Sequence, residues 1–457
     1  MEVGLLMPAT FGLKHKRMSL NKKVALATLG CKVSQYETEA IAEAFEAIGF
    51  SVVPFDTSAD VYVINTCTVT ADADRKSRQM IRRAHKRNPL ALVMVTGCYA
   101  QSSPKELAEI PFVSYIAGNE SKMQIPCRAL ELLERRSATQ MPIQECFQIT
   151  DAVFEPMQIT RAPRTRAYVK IEDGCECRCS YCAIPRARGN VRSKKPADVL
   201  REVEALAKGG TREVVLTGIE TASYGIDLHD IRLTDLLEQL DREAFVPRLR
   251  LGSMTPEFFK PDIIERLSRL KTLTPHMHLS VQSGSSDVLR LMRRRYLADQ
   301  AIGAVHSLRR AIPDIELTAD FIVGFPGESD AHFEETLCFA EEAEFLNLHV
   351  FAYSKRQNTP AATLPNQVDE QVKKERSHRL IALGEDLRAK RLARSLESTP
   401  TVSVLFEERN DGFFVGHTPS FIPVAVKSDA ELHGEIADVR PTHHDGVHLF
   451  GDIIKIK

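Results

Sequence analysis

The sequence predicts an α/β protein in three parts: an open parallel sheet, a partial (βα)6 barrel and a small antiparallel β-barrel. Three observations carry this. Short apolar runs alternate with helical stretches from Lys23 to about Gln124, and the same βα rhythm returns with six beats from about 166 to 355. From about 399 the pattern changes to short β-rich runs separated by turn residues. A length of 457 residues, taken at roughly 150 per domain, also suggests about three domains. With 43% apolar residues the chain can bury sizeable cores, which excludes disorder as the whole answer.

In chain order, residues 1–20 read as a loose extension. Their apolar stretch is short, broken by Pro8 and without the basic leader of a signal peptide, and Met18 is an equally good start. Over 21–150, VALATL runs into Gly30-Cys31, VYVIN into Thr66-Cys67 and LVMVT into Gly97-Cys98. Such runs suit parallel strands covered on both faces, and ligands of open α/β sheets gather outside the strands' carboxyl ends. Three thiols, 36 and 31 residues apart, would thus meet at one sheet edge as a three-point metal site. Taken singly, each also fits as a small core residue. Residues 125–165, with Pro126, Pro142, Pro156 and Pro163, read as a connection. Cys127 and Cys146 within it read as structural, as does Cys338 in a later helical stretch.

Over 151–396 the strand signals are AYVKIEDG, EVVLTG, RLRLGS, HMHLSVQSG, IELTADFIVGFPG and LNLHVFAYS. Six strands make an incomplete barrel with its site at the strand carboxyl ends. A charged helix of about 366–395 follows. Over 397–457, TVSVLFEE, GFFVGHT, FIPVAVK, LHGEIADVR and HLFGDIIKI supply the last barrel.

Ten cysteines are too few for a disulfide scaffold, and their clustering favours metal in a reducing cytoplasm. Cys175, Cys179 and Cys182 follow the first barrel strand with C-x3-C-x2-C spacing. One loop can then wrap three thiolates around three corners of a 4Fe–4S cube. The fourth iron is left for the amine and carboxylate of S-adenosylmethionine. The alternative is a structural zinc knot with Cys177 as fourth ligand. No apolar window is long enough for a membrane span. With 60 basic and 61 acidic side chains, any nucleic-acid site must be a local patch.

The strings LATLGCKVSQYETEA, VINTCTVTADADRKSRQMIRRA, TGCYAQ, EDGCECRCSYCAIPRARG, HLSVQSGSSDVLRLMRRRY, DFIVGFPGES and AYSKRQNTPAA resemble the radical S-adenosylmethionine methylthiotransferases over nearly the whole chain. Within them the chain most resembles the MtaB-type branch, which acts on N6-threonylcarbamoyladenosine next to the anticodon of tRNA. It departs from that branch at Ser34, usually asparagine, and at Cys177, usually a polar residue without a thiol. The resemblance implies a radical-SAM barrel flanked by a TRAM-like barrel, and a second 4Fe–4S cluster on Cys31, Cys67 and Cys98. It also implies two uses of S-adenosylmethionine. One molecule gives its methyl group to sulfur at the auxiliary cluster; the other is cleaved reductively to a 5′-deoxyadenosyl radical that activates carbon 2 of the adenine. A tRNA substrate, an electron donor of reductase, flavodoxin or ferredoxin type and a cytoplasmic location follow from the same likeness. Alternatives within the class act on isopentenyladenosine in tRNA or on a ribosomal-protein aspartate. Outside it stands a non-catalytic, metal-containing RNA-binding protein.

Cofactor contacts are expected at the other strand ends: Thr217, Gly218 and Glu220 after the second strand, Ser253 and Gln282 on the third and fourth, and Gly324, Phe325 and Pro326 after the fifth, with Tyr181 beside the last cysteine. Each also fits as an ordinary strand-end cap or turn. For RNA the expected basic groups are Arg75, Lys76, Arg78, Arg82 and Arg83, with Lys86 and Arg87, on the helix after Cys67, and Arg186, Arg188 and Arg192 after the radical loop. Arg293 to Arg295 include a candidate cofactor-carboxylate contact. Lys355 and Arg356 face either tRNA or solvent. The last segment carries ten acidic and five basic side chains, a poor phosphate surface. Its Phe413, Phe414 and Phe421, with His443 and His444, either stack on bases or, for the phenylalanines, pack in the core.

Overall fold

The computed structural model describes residues 21–135, 142–146, 149 and 153–457. The extension at 1–20, with its alternative start, lies outside the described residues. Strands β1 (Lys23–Thr28), β2 (Ser51–Val53), β3 (Val61–Thr66), β4 (Leu92–Gly97), β5 (Val113–Ala117) and β6 (Ile143–Glu145) form one parallel sheet in the order β2-β1-β3-β4-β5-β6. Its strands read as unbroken apolar runs because both faces are covered. Val61 and Val63 pack with Ile41 and Phe45 of helix α1 (Lys32–Ala47), whereas Tyr62 and Ile64 pack with Ile81 and Ala84 of helix α2 (Ala71–Arg87). The segment expected to be a mere connection instead supplies a helix, Ile125–Arg135, and the edge strand β6. Pro126 is compatible with that helix because it lies in its first turn.

The second unit is an arc of six parallel strand positions. β7 (Arg166–Lys170) pairs with β10 (Glu213–Thr217), and β10 with β11 (Arg248–Leu251). Gly252 interrupts the third strand, whose continuation β12 (Ser253–Met254) pairs with β13 (His276–Gln282), followed by β14 (Glu316–Val323) and β15 (Asn347–Ala352). A short antiparallel pair, β8 (Glu172–Asp173) with β9 (Arg192–Ser193), brackets the Cys175–Cys182 loop. Met277, Leu279 and Val281 join the core beneath the surrounding helices, which turns the alternate residues of β13 towards the inside of the arc. The helix Glu370–Ser398 lies on β15, where Gly384 leaves room for Leu348.

The last strands, β16 (Val402–Asn410), β17 (Phe413–His417), β18 (Pro423–Val426), β19 (Ile436–His444) and β20 (Leu449–Ile456), close into a barrel in the order β16-β17-β18-β20-β19. Every junction is antiparallel except β18 with β20, which is parallel. Val404, Phe406, Phe414, Val424 and Leu449 fill it, joined by Leu346 from the arc and Leu392 from the long helix. Cys127 and Cys338, read from sequence as structural, are exposed on helix surfaces and pack no core; Cys146 is half-buried.

Candidate active site

The strand order 2-1-3 reverses direction between β1 and β3, and the crevice outside such a switch point is where open α/β sheets bind ligands. Cys31 and Cys67 follow those two strands, and Cys98 opens the short helix α3 (Cys98–Ser102) after β4. The loops are tied together. Asn65 Nδ2 donates to Ser34 O (2.9 Å) and Thr38 Oγ1 (3.2 Å), and Ala100 N donates to Thr66 Oγ1 (3.3 Å). Gly97 sits at φ +98°, where a β-carbon would run into the backbone of Thr66. At Gly30 a β-carbon would come within 3.3 Å of Cys67 Cβ, which measures how closely the first two loops approach. Ser34 Oγ lies 3.8 Å from Cys31 Sγ. Burial pushes the Cys67 thiol up to about 11, so binding of metal there must release a proton.

The second trio stands at the rim of the arc. Gly174 (φ +90°) turns the chain after β8, and Cys175 N donates to Gly189 O (3.0 Å). Cys182 N donates to Cys179 O (3.1 Å), while Arg294 Nη1 donates to Cys179 Sγ (3.3 Å). Cys177 N donates to Cys175 Sγ (3.4 Å). The sulfurs of Cys175 and Cys177 and a carboxylate oxygen of Glu220 all lie within 4.8 Å of one another. The hydrogen bond with Cys175 draws the Cys177 thiol down to about 7 and drives that of Cys175 far up. Burial pushes Cys182 up to about 12, and burial followed by the neighbouring Cys177 pushes Glu220 up to about 8.

The remaining predicted cofactor residues divide. Thr217 is buried at the end of β10, and a β-carbon at Gly218 would strike the buried Glu172, whose carboxylate accepts from Glu220 N (2.8 Å). Ser253 is exposed on the third strand, and Gln282 is buried at φ +69°. Phe325 is fully buried and packs edge-on against Tyr181 (6.3 Å) and Tyr353 (5.3 Å), so it shapes the wall behind the loop. Gly324 (φ +70°) donates its N–H to Glu328 Oε1 (2.8 Å), and Pro326 follows Phe325 in the same turn.

Three basic residues do something other than expected. Arg188 cannot touch RNA, because it is wholly buried. It donates from Nε to Cys98 Sγ (3.2 Å) and from Nη1 to Glu37 (2.5 Å) and Asp173 (3.2 Å). Arg192 is buried beside it on Asp173. Arg356 is half-buried and pins the exit of β15 to Thr68 (2.7 Å) of the Cys67 loop and to Asp74 (2.6 Å) of α2. Arg75, Lys76, Arg82, Arg83 and Arg186 are exposed, while Arg78 is half-buried on Tyr99 OH (2.8 Å) and Glu106 (2.9 Å). Phe414 is core; Phe413 packs edge-on against Phe450 (5.4 Å), and His443 stacks on that ring at 4.9 Å.

Sequence reasoning missed the buried ion network that joins the two sites. Lys122, Lys170, Arg188 and Arg192 surround Glu37 and Asp173, four cations against two carboxylates. Lys170 alone gave a signal, as a lysine inside the apolar run AYVKI. The uncompensated positive charge abuts Cys98, a setting that suits a set of thiolates. Arg188 comes six residues after Cys182, so one short segment carries the chain from one trio to the other.

A six-strand parallel arc with a three-cysteine loop at its carboxyl rim defines a radical S-adenosylmethionine enzyme. The comparisons agree: residues 169–340 match the radical SAM superfamily, and residues 23–118 match an uncharacterized protein family, UPF0004. The threonylcarbamoyladenosine tRNA methylthiotransferase MtaB of Bacillus subtilis is 42% identical over 425 residues, 91% of this chain and 93% of its own length. MtaB of Thermotoga maritima is 38% identical, covering 78% of this chain and 80% of its own. A tRNA-2-methylthio-N(6)-dimethylallyladenosine synthase of B. subtilis is 34% identical, covering 96% of this chain and 87% of its own. The chain belongs to the radical S-adenosylmethionine tRNA methylthiotransferase family. Among solved structures, the radical S-adenosylmethionine methyltransferase TsrM from Kitasatospora setae shares the fold, with a TM-score of 0.57 at 17% identity over 75% of each chain. No described helix is long and apolar enough to cross a membrane.

Proposed function

We propose that the protein methylthiolates carbon 2 of N6-threonylcarbamoyladenosine at tRNA position 37, beside the anticodon. In this reading it is a cytoplasmic enzyme using two 4Fe–4S clusters, two S-adenosylmethionine molecules and an external electron donor. The observation that carries it is the meeting of the two cysteine trios through Arg188, which follows one loop and donates to Cys98 of the other. When bound, the cluster and S-adenosylmethionine supply a carbon-centred radical able to activate an aromatic C–H bond that acid–base chemistry cannot reach.

The chain's own residues bind and orient. Cys175, Cys179 and Cys182 hold the radical-site iron, and Cys31, Cys67 and Cys98 hold the auxiliary one. Arg294 steadies Cys179. Glu220, whose N–H is fixed by Glu172, stands at the rim to meet the methionine amine, with Thr217, Gly218, Ser253, Gln282 and the Gly324-Phe325-Pro326 turn at the neighbouring strand ends. Tyr181 on Phe325 walls the loop from water. The exposed bases of α2, with Arg186, receive phosphate. The three units correspond to residues 21–150, 151–396 and 397–457.

Anaerobic reconstitution tests this. About eight irons per chain are expected, with reductive release of 5′-deoxyadenosine. Cys179→Ala should abolish that release, whereas Cys98→Ala should retain it and lose methylthio transfer; retained release in Cys179→Ala would exclude the radical site. Nucleoside mass spectrometry of tRNA from cells lacking the protein should show the methylthio group missing from threonylcarbamoyladenosine. Its loss from isopentenyladenosine instead would refute the substrate.

A further inference from the structure

The two substrates named among the relatives differ in a way a protein can read. Threonylcarbamoyladenosine carries on N6 a threonine with a free carboxylate; dimethylallyladenosine carries a short hydrocarbon. A pocket for the first needs a cation with no partner of its own, since a paired cation has little to offer and a buried unpaired carboxylate is costly. A pocket for the second needs apolar walls.

The interior of the arc is polar. His276 Nε2 and His278 Nδ1 both meet Thr318 Oγ1, at 3.1 and 2.8 Å. His278 Nε2 lies 3.1 Å from Asp320 Oδ2, and His349 Nδ1 lies 3.8 Å from Asp320 Oδ1. At the lower end Arg166 is neutralised by Glu407 (2.8 Å) and Arg250 by Glu213 (2.6 Å). Within electrostatic range of this interior is Lys32, the first residue of α1, directly after Cys31. The charges that bear on its ammonium belong to Arg166, Asp320, Cys31 and Arg250, and it bears in turn on His276 and His349. Lys32 itself is exposed to solvent. Among the described residues no carboxylate lies within salt-bridge distance of Lys32, and Asp320 is already engaged by two histidines.

Resting on the function proposed above, we infer that Lys32 binds the carboxylate of an anionic N6 substituent and so selects the threonylcarbamoyl substrate over one bearing a hydrocarbon. Carbon 2 and carbon 6 of adenine flank the same ring nitrogen. A base with carbon 2 aimed between the cysteine trios therefore keeps its N6 group near the residue that follows Cys31. His349, half-exposed on β15, stands on the same interior and can donate a second hydrogen bond to the urea or carboxylate oxygens.

The test uses reconstituted enzyme and anticodon stem-loop RNAs carrying threonylcarbamoyladenosine, its threonyl methyl ester, or dimethylallyladenosine. Equilibrium binding is read by fluorescence anisotropy, with iron content measured in parallel. Wild type should bind the acid about tenfold or more tightly than the ester, the weight of one charge-assisted hydrogen bond. Lys32→Gln should bind acid and ester alike, and Lys32→Arg should restore the preference. A preference for the acid that survives in Lys32→Gln overturns the inference. The acid–ester comparison in wild type needs no variant, so equal affinities there also overturn it, even if Lys32→Gln assembles iron poorly. Methylthiolation of the dimethylallyl RNA alone would instead bring down the functional reading itself, which distinguishes the two failures.

Discussion

Replacing Glu37 by glutamine removes one of the two carboxylates that balance four buried cations. In the native structure Glu37 is fully buried, accepts from Lys170 (2.9 Å) and Arg188 (2.5 Å), and is ion-paired with Lys122 (2.6 Å). An amide keeps the shape but not the charge, leaving Asp173 alone against Lys122, Lys170, Arg188 and Arg192. Breaking a buried ionic group in this one-sided way costs about 3–5 kcal/mol. At about 2–4 °C per kcal/mol for a cooperative unit of this size, the midpoint of thermal unfolding should fall by roughly 6–20 °C. The assay is circular-dichroism melting of the cluster-free protein at pH 7, with Lys122→Met added in the Glu37→Gln background to restore part of the loss. The pH dependence has a definite sign. Burial opposes ionisation of Glu37, but Arg188, Lys122 and Lys170 together hold its carboxyl well below the usual range. Its contribution is therefore complete above the ordinary value of 4.5 and is lost as pH falls through the depressed one, so the gap between wild type and variant should narrow in acid. A midpoint within about 2 °C of wild type at pH 7, less than about 1 kcal/mol, would refute the charge accounting.

Gly97→Ala forces a β-carbon into the Thr66 backbone and should displace Cys98; iron per chain should fall by about half while 5′-deoxyadenosine release persists, and full iron content would contradict the close packing of that loop. Glu220 keeps its proton up to about pH 8 in the fold but loses it near 4.5 in the unfolded chain, so it erodes stability as pH rises between those values. Glu220→Gln should flatten that decline in melts of cluster-free protein from pH 5 to 8.5, and an unchanged slope would be the contrary result. Cys177, half-buried and drawn down to about 7, should be the first thiol alkylated by iodoacetamide at pH 7.5 in cluster-free protein, as peptide mapping would show. Phe421→Ala should cost about 3 kcal/mol in urea unfolding, because its ring is stacked on His276 and His417 and lies 4.9 Å from the guanidinium groups of both Arg166 and Arg250.

Periodicity made most of the fold legible. The three strand ends carrying Cys31, Cys67 and Cys98 and the six beats of the arc all stand in the sequence as apolar runs of strand length, because parallel strands buried on two faces leave no polar alternation to confuse them. Ile125–Arg135 and β6 were obscured by prolines, one of which lies harmlessly in a helix first turn. The cysteine spacing pointed to the enzyme class that the family matches show, since such a motif depends on residue type and local spacing. Arg188 and Arg356 were misread because charge in sequence says nothing about the carboxylates that folding brings from far away: Glu37 lies 151 residues before Arg188, and Asp74 lies 282 before Arg356. Lys32 was hidden for the same reason, its surroundings being assembled from β7, β11, β13, β14 and β15.

The loop that carries Phe421 closes the lower end of the arc. Phe421 holds a left-handed backbone (φ +73°), Arg250 donates to Pro419 O (3.1 Å), and Arg248 donates to His417 O and Ser403 O (both 3.0 Å). The floor of the arc is therefore contributed by a stretch of chain that lies 169 residues downstream of Arg250. A nascent polypeptide can finish its first sheet and all six strands of the arc while Arg166, Arg250 and His276 still look out on water, and it becomes a closed vessel only when the last barrel folds beneath them. Any product that stops before residue 421 keeps both cysteine trios but has no floor, so premature termination yields a container open at the bottom rather than a protein lacking an accessory domain.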